Sequence, residues 1–206
     1  MPTLDIDYWN KKLRYKTPVE IADWALRLSD NYIVTTSFGV YSSVLLSTMS
    51  VLDHQIRVVW CDTLYNGEST YEYAASLTEK YKLNIHKYQP LFTKTEIERT
   101  LGSPDLEDDN HSQFSEIVKL EPFKRALSEL NPDVWFTNIR VRQTAYRDKK
   151  DILSYSKDGI LKVSPFYYWT DEDLDQYVLK YGLKKNLDYF DPVKALSNRE
   201  CGIHFR

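Results

Sequence analysis

The sequence predicts an α/β fold: one mainly parallel sheet with helices on both faces. Three observations carry this. Short apolar runs of strand length alternate along the chain with longer segments of helical spacing. The 206 residues are 42% hydrophobic and 28% charged, which suits one globular domain with a substantial core. No internal repeat, low-complexity tract or long Pro/Gly/Ser linker divides them.

The elements follow in order. Residues 18–29 read as a helix, with Thr17 as N-cap and Pro18 in the first turn. Residues 31–36 are a strand, broken by Ser37-Phe38-Gly39. Residues 40–52 are a helix with Val44, Leu45 and Met49 at helical spacing. Residues 56–61 are a second strand closed by Asp62-Thr63, and 70–80 a helix capped by Ser69 or Thr70. Residues 84–88 are a third strand, and 91–110 the least regular stretch. Residues 114–130 are a helix ended by Asn131-Pro132; 134–139 and 161–163 are strands; 171–181 is a helix stopped by Gly182.

Composition excludes several classes. A formal net charge of −3 predicts no nucleic-acid surface, so an anionic ligand must be held by locally placed Lys and Arg. No apolar run approaches the length of a membrane span. Residues 1–7 are acidic without a signal-peptide core, so the chain reads as cytoplasmic.

Ligands of such folds bind at the carboxyl ends of the strands, which singles out three loops. Ser37-Phe38-Gly39-Val40-Tyr41-Ser42 joins strand to helix; its backbone amides, Ser37 and Ser42 make an anion site, although an ordinary turn capped by Ser37 explains the same residues. Asp62 and Thr63 can bind a ligand hydroxyl or amine, or simply form a polar turn. Arg140, Arg142, Gln143 and Arg147 form either a phosphate or sulfate clamp, through planar bidentate guanidinium groups, or a solvated basic turn. Lys119 alone reads as a surface lysine. Two cysteines make no disulfide framework. Cys61 ends an apolar strand and reads as a buried core residue. Cys201 stands between Glu200 and Gly202, with Arg199 and His204 near, a setting that favours the thiolate, or else it is incidental to a frayed terminus.

Together these motifs resemble the phosphoadenylyl-sulfate (PAPS) reductase family and its adenylyl-sulfate relatives, from Asn31 to the C-terminus. Ser37-Phe38-Gly39-Val40 is similar to the family's modified pyrophosphate loop. Asp62-Thr63 resembles its Asp-Thr-Gly motif, Lys119-Leu120-Glu121-Pro122 its Lys-Val-Glu-Pro helix, and Thr137-Asn138-Ile139-Arg140 with Arg142, Gln143 and Arg147 its arginine loop. Glu200-Cys201-Gly202-Ile203-His204 resembles the catalytic tail and is the most specific match.

The resemblance implies an adenine-nucleotide alpha-hydrolase-like fold (Rossmann-like, PP-loop) in a single domain over 1–206, with 191–206 a mobile catalytic tail. It implies that Cys201 attacks the sulfur of 3′-phosphoadenosine 5′-phosphosulfate (PAPS), giving an S-sulfocysteine from which reduced thioredoxin or glutaredoxin releases sulfite. His204 would position the thiol or neutralise the sulfonate. Ser37, Phe38, Gly39 and Ser42 would face a phosphate-type group, Asp62 and Thr63 the adenosine, and Lys119, Arg140, Arg142, Gln143 and Arg147 the anionic charge. No metal is implied, and a homodimer is. Two cysteines cannot by themselves ligate a four-iron cluster, which points to the cluster-free class acting on the 3′-phosphorylated substrate.

The chain departs from the pattern in two places. Leu64 stands where the motif has Gly, so positive φ is harder to reach. A basic Thr-Thr-Arg segment is cut away between Asp191 and Arg199, so Lys184, Lys185, Lys194 or Arg199 would have to replace it. Other readings are adenylyl-sulfate reduction, a nucleotide-binding homologue without catalysis or with altered specificity, and an ATP-using sulfur or amide transferase. Phe38 and Tyr41 argue against the last, since its loop has Gly and Asp there.

Overall fold

A computed structural model describes residues 4–102, 110–191 and 193. Among them, six strands form one sheet: β1 (Tyr32–Thr36), β2 (Arg57–Cys61), β3 (Asn84–Tyr88), β4 (Val134–Phe136), β5 (Leu153–Tyr155) and β6 (Leu161–Val163). The order is β3-β2-β1-β4-β6-β5, parallel except for β5 at the edge. The chain winds outward on both sides of β1, which puts the topological switch between β1 and β4.

Alternation along the strands builds two cores. Val34, Val58, Trp60, Val134 and Phe136 face one layer. That layer holds α2 (Pro18–Leu26), α3 (Ser42–Leu52), α4 (Glu68–Tyr81) and α8 (Asp171–Tyr181). Ile33, Val59, Cys61 and Trp135 face the other, with α5 (Lys94–Leu101), α6 (His111–Ser115) and α7 (Glu121–Leu130). Both faces are covered, as a mainly parallel sheet requires.

The helix starts follow capping chemistry. Thr17 and Glu20 form a capping box with Pro18 inside the first turn, and Thr170 with Asp173 forms another. Helix α2 stops at Leu26, short of the expected residue 29, and Ser29 is used in a turn, donating to Asp133 Oδ2 and accepting from the Asn31 amide. Two expected caps are corrected. Tyr41, not Ser37, precedes α3, and Gly67, not Ser69 or Thr70, precedes α4; neither supplies a side-chain cap. Thr70 is instead buried, where its Oγ1 accepts from Asn186 Nδ2.

Four features lie outside the sequence expectation. Within the irregular 91–110 stretch, α5 starts on a Thr93/Glu96 capping box and buries Ile97 and Leu101 one turn apart. An N-terminal helix, α1 (Ile6–Leu13), and strand β5 support each other: Asn10 donates to the Leu153 carbonyl and accepts from its amide. The expected 114–130 helix is interrupted by a π-helical turn, Glu116–Leu120. Pro122 explains it, because proline has no amide to give the carbonyl four residues back and clashes with it. The chain widens instead, and the Glu121 amide bonds to the Glu116 carbonyl.

Lys162 lies buried on β6 with Nζ 4.5 Å from the Trp135 ring centroid. Burial, helped by Lys150, pushes its pKa down from 10.5 to about 8. The unfolded chain therefore binds the extra proton between these values. The associated penalty is complete below pH 8 and relieved as pH rises through that window. Relative to Lys162→Met, the wild type should gain stability from pH 8 to pH 10, read as a narrowing gap between thermal midpoints. A gap constant across that range would refute this.

Candidate functional site

A cavity of about 400 Å³ opens at the carboxyl ends of β1, β2 and β4, beside the switch point. Ser37, Gly39, Ser42, Lys119, Arg140, Gln143 and Arg147 line it. Thus seven of the residues singled out in the sequence, drawn from three distant segments, share one wall. Cys61 also lines it while remaining buried. Phe38, Asp62, Thr63 and Arg142 are described residues outside that lining. Cys201 and His204 lie outside the described residues, as do Lys194 and Arg199.

The first loop turns differently from the glycine turn that its sequence invites. Its left-handed residue is Phe38, at φ 50°. The Phe38 ring is fully buried and edge-on to Trp60 at 4.9 Å, its amide donates to Thr36 Oγ1, and its carbonyl accepts from Asn186 Nδ2. These contacts hold the strained residue down, so Phe38 shapes the loop from the core side. Gly39 packs beside the Tyr189 ring, where a Cβ would stand 3.4 Å from it, in van der Waals contact. The Ser42 amide bonds to the Gly39 carbonyl, so neither it nor the Phe38 amide is offered to an anion.

Asp62 is an organising residue of the second loop. Its buried carboxylate accepts from the Leu64 amide, Asn66 Nδ2 and the Tyr71 hydroxyl on one oxygen, and from Gln89 Nε2 on the other. Burial, then the bond to Asp62, pushes the Tyr71 hydroxyl up to about 12. The Thr63 hydroxyl accepts from the Tyr65 amide. Leu64, expected to resist positive φ, adopts 68°, and the bond from its amide to Asp62 accompanies that strained turn.

In the arginine loop, Gln143 Oε1 accepts from both the Arg140 amide and Arg147 Nη1, fixing one arginine relative to the other. Arg140 is buried, 2.7 Å from Asp171 Oδ1, and lies over the Tyr41 ring at 5.3 Å. Burial, followed by its bond to Asp175, raises the Tyr41 hydroxyl to about 12. Arg142 is exposed at φ 66°, and its amide donates to Asp148, so it serves the turn rather than the cavity.

Lys119 sits in the π-helical turn, buried, with its ammonium on the Asp191 carboxylate. The Tyr189 hydroxyl donates to the same Asp191 oxygen at 3.1 Å and hydrogen-bonds with Ser37 Oγ at 2.9 Å. Burial pushes the Tyr189 pKa up, with Asp191 the next cause. Tyr189, Asp191 and Asp171 are functional candidates that the motifs pass over, and Asn138, quoted within the arginine-loop motif but given no role there, also lines the cavity. Asn138 and Asp171 had a signal, since one follows β4 and the other opens α8 beside the loops. Tyr189 and Asp191 had none, because their role depends on where the chain returns after α8.

The comparisons with known proteins bear on the family and the fold. The family model described as phosphoadenosine phosphosulfate reductase domain matches residues 31–191. The chain is similar to a phosphoadenosine 5′-phosphosulfate reductase of Synechococcus sp., 32% identical over 84% of this chain and 76% of the relative. A Xylella fastidiosa protein of the same name is 34% identical over 88% and 77%. The fold matches a Candida auris phosphoadenylyl-sulfate reductase solved as a phosphate complex, with TM-score 0.78, 24% identity and coverage of 90% and 91%.

Replacing Asp62 by Asn should turn one acceptor oxygen into a donor facing other donors. We expect a loss of about 2–3 kcal/mol in unfolding free energy by urea titration. An unchanged midpoint with lost nucleotide affinity would return Asp62 to the ligand.

Proposed function

The chain belongs to the phosphoadenosine phosphosulfate reductase family, and from that premise we propose that it reduces 3′-phosphoadenosine 5′-phosphosulfate to sulfite and adenosine 3′,5′-bisphosphate. The observation that carries this is the cavity at the switch point, where Ser37, Lys119, Arg140 and Arg147 line one wall. These are donors and cations suited to a phosphosulfate.

The chemistry assigns the covalent step to Cys201. Its thiolate attacks the sulfur, an S–S bond forms, and the S–O bond breaks with its electron pair leaving on the 5′-phosphate oxygen. Arg140 and Arg147 would offset the charge gathering as two anions approach, Lys119 would hold the cavity wall through its pair with Asp191, and His204 would position the thiol or neutralise the sulfonate. A dithiol protein such as thioredoxin or glutaredoxin then attacks the Cys201 sulfur. Sulfite departs with an electron pair, and the second thiol resolves the mixed disulfide, so the donor is oxidised and Cys201 returns as thiol. No bound cofactor takes part in this scheme. Ser37, Gly39 and Ser42 are assigned to a phosphate-type group. Asp62 and Thr63 act on the adenosine side through the shape of their loop.

Sulfite release from PAPS with reduced thioredoxin tests the reading. Wild type should release sulfite, and Cys201→Ser should lose at least about a thousandfold in rate. Without donor, mass spectrometry should find a sulfonate on Cys201 and none on Cys61. No sulfite from PAPS or adenylyl sulfate, with nucleotide binding intact, would favour a non-catalytic homologue. Turnover of adenylyl sulfate alone would overturn the substrate assignment.

A further inference from the structure

Two cations of the cavity wall carry carboxylate partners inside the protein, and the two pairs differ in kind. Lys119 and Asp191 are both sealed, with side chains 4% exposed. Arg140 is 10% exposed, but its partner Asp171 is 65% exposed while still lining the cavity. Separating the first pair strands two buried charges and is strongly unfavourable. Separating the second strands no buried carboxylate, because Asp171 can turn into water, and leaves only Arg140 in need of a replacement anion. Arg140 itself is held regardless of Asp171: its amide is fixed to Gln143, Nη1 reaches the Trp169 carbonyl at 3.4 Å, and its guanidinium lies over Tyr41. Tyr41 is anchored in turn to Asp175, one turn along α8 from Asp171, and Asp175 also binds Lys185 at 2.9 Å.

We propose that Asp171 is an exchangeable counter-ion of the cavity, which an anionic group of the ligand displaces from Arg140 and which thereby sets the preference of the site among anions of different charge. The inference rests on the proposed nucleotide reading. Without ligand, Asp171 neutralises a buried guanidinium that would otherwise be costly. With ligand, the exchange returns Arg140 to a paired state, and the displaced carboxylate remains close enough to repel further negative charge. Asp171 therefore weakens binding, most for the most highly charged ligand. It touches neither reacting atoms nor substrate in this scheme, and acts through Arg140.

The test is calorimetric titration of the full chain with adenosine 3′,5′-bisphosphate and with adenosine 5′-monophosphate, at low and moderate salt. The variants are Asp171→Asn, Asp171→Glu and Arg140→Gln. Asp171→Asn should tighten the bisphosphate about fivefold, the worth of a half-exposed ion pair. It should tighten the monophosphate less and steepen the salt dependence. Asp171→Glu should restore the weaker affinity. Arg140→Gln should weaken both ligands. Asp171 also opens α8, where a carboxylate favours the helix start, so a purely structural role would lower thermal midpoint and affinity together. That result, or unchanged affinity in Asp171→Asn while Arg140→Gln binds poorly, overturns the proposal alone. Equal affinity of wild type and Arg140→Gln would overturn the nucleotide reading at Arg140 and the proposal with it.

Discussion

The cavity depends on the burial of the Lys119 ammonium against the Asp191 carboxylate. Taking two charges out of water is stabilising only if geometry and further hydrogen bonds satisfy both. The structure supplies these locally: Asp191 also accepts from the Tyr189 hydroxyl and the Val193 amide. The Lys119 position traces back to one residue type. Pro122 cannot close a normal helical turn, the chain opens into a π-turn, and that turn sets the angle at which Lys119 leaves the helix. From there the links run through Asp191 and Tyr189 to Ser37 in the first loop. A helix on one face of the sheet, the segment after α8 and the loop after β1 are thereby held in one arrangement.

Strain accompanies this arrangement at each loop. The loops after β1, β2 and β4 each hold one left-handed residue that is not glycine: Phe38, Leu64 and Arg142. Each costs roughly 1–2 kcal/mol, and each is held by neighbours. Phe38 is held by its buried ring, Leu64 by its amide on Asp62, and Arg142 by its amide on Asp148. Residues in such conformations persist where the surroundings over-determine them, commonly at binding sites. In these loops the side chains at the strained positions stay out of the cavity, and their neighbours Gly39 and Gln143 line it.

The sheet is legible in the sequence because its strands are short apolar runs whose alternate residues serve two cores, and Thr17, Pro18 and Gly182 punctuate the helices as isolated signals. The cation set is legible because Lys119 and the arginines sit in motifs near strand ends. What is not legible depends on tertiary return. Strand β5 is only three residues long; it pairs with the nearby β6, but the side chain that also holds it, Asn10, lies more than 140 residues earlier in the chain. Asp62 reads as a ligand contact from its place at a strand end, but the donors that occupy it come from residues 64, 66, 71 and 89. Arg142 reads like Arg140, and only its backbone turn sends it outward. Composition shows which groups can meet an anion; it does not show which are already occupied.

That distinction governs how a chain of net charge −3 can hold a polyanion. The overall field does not draw the ligand in, so affinity must come from cations placed at short range, where loss of water strengthens each contact. Cations crowded around an apolar-walled cavity would repel one another without internal counter-ions. Asp191 and Asp171 answer this in two ways. The sealed pair fixes the geometry and is too costly to open. The half-exposed pair neutralises its arginine while leaving it available. A site built from one of each is rigid where the loops must be held together and exchangeable where charge must be handed over.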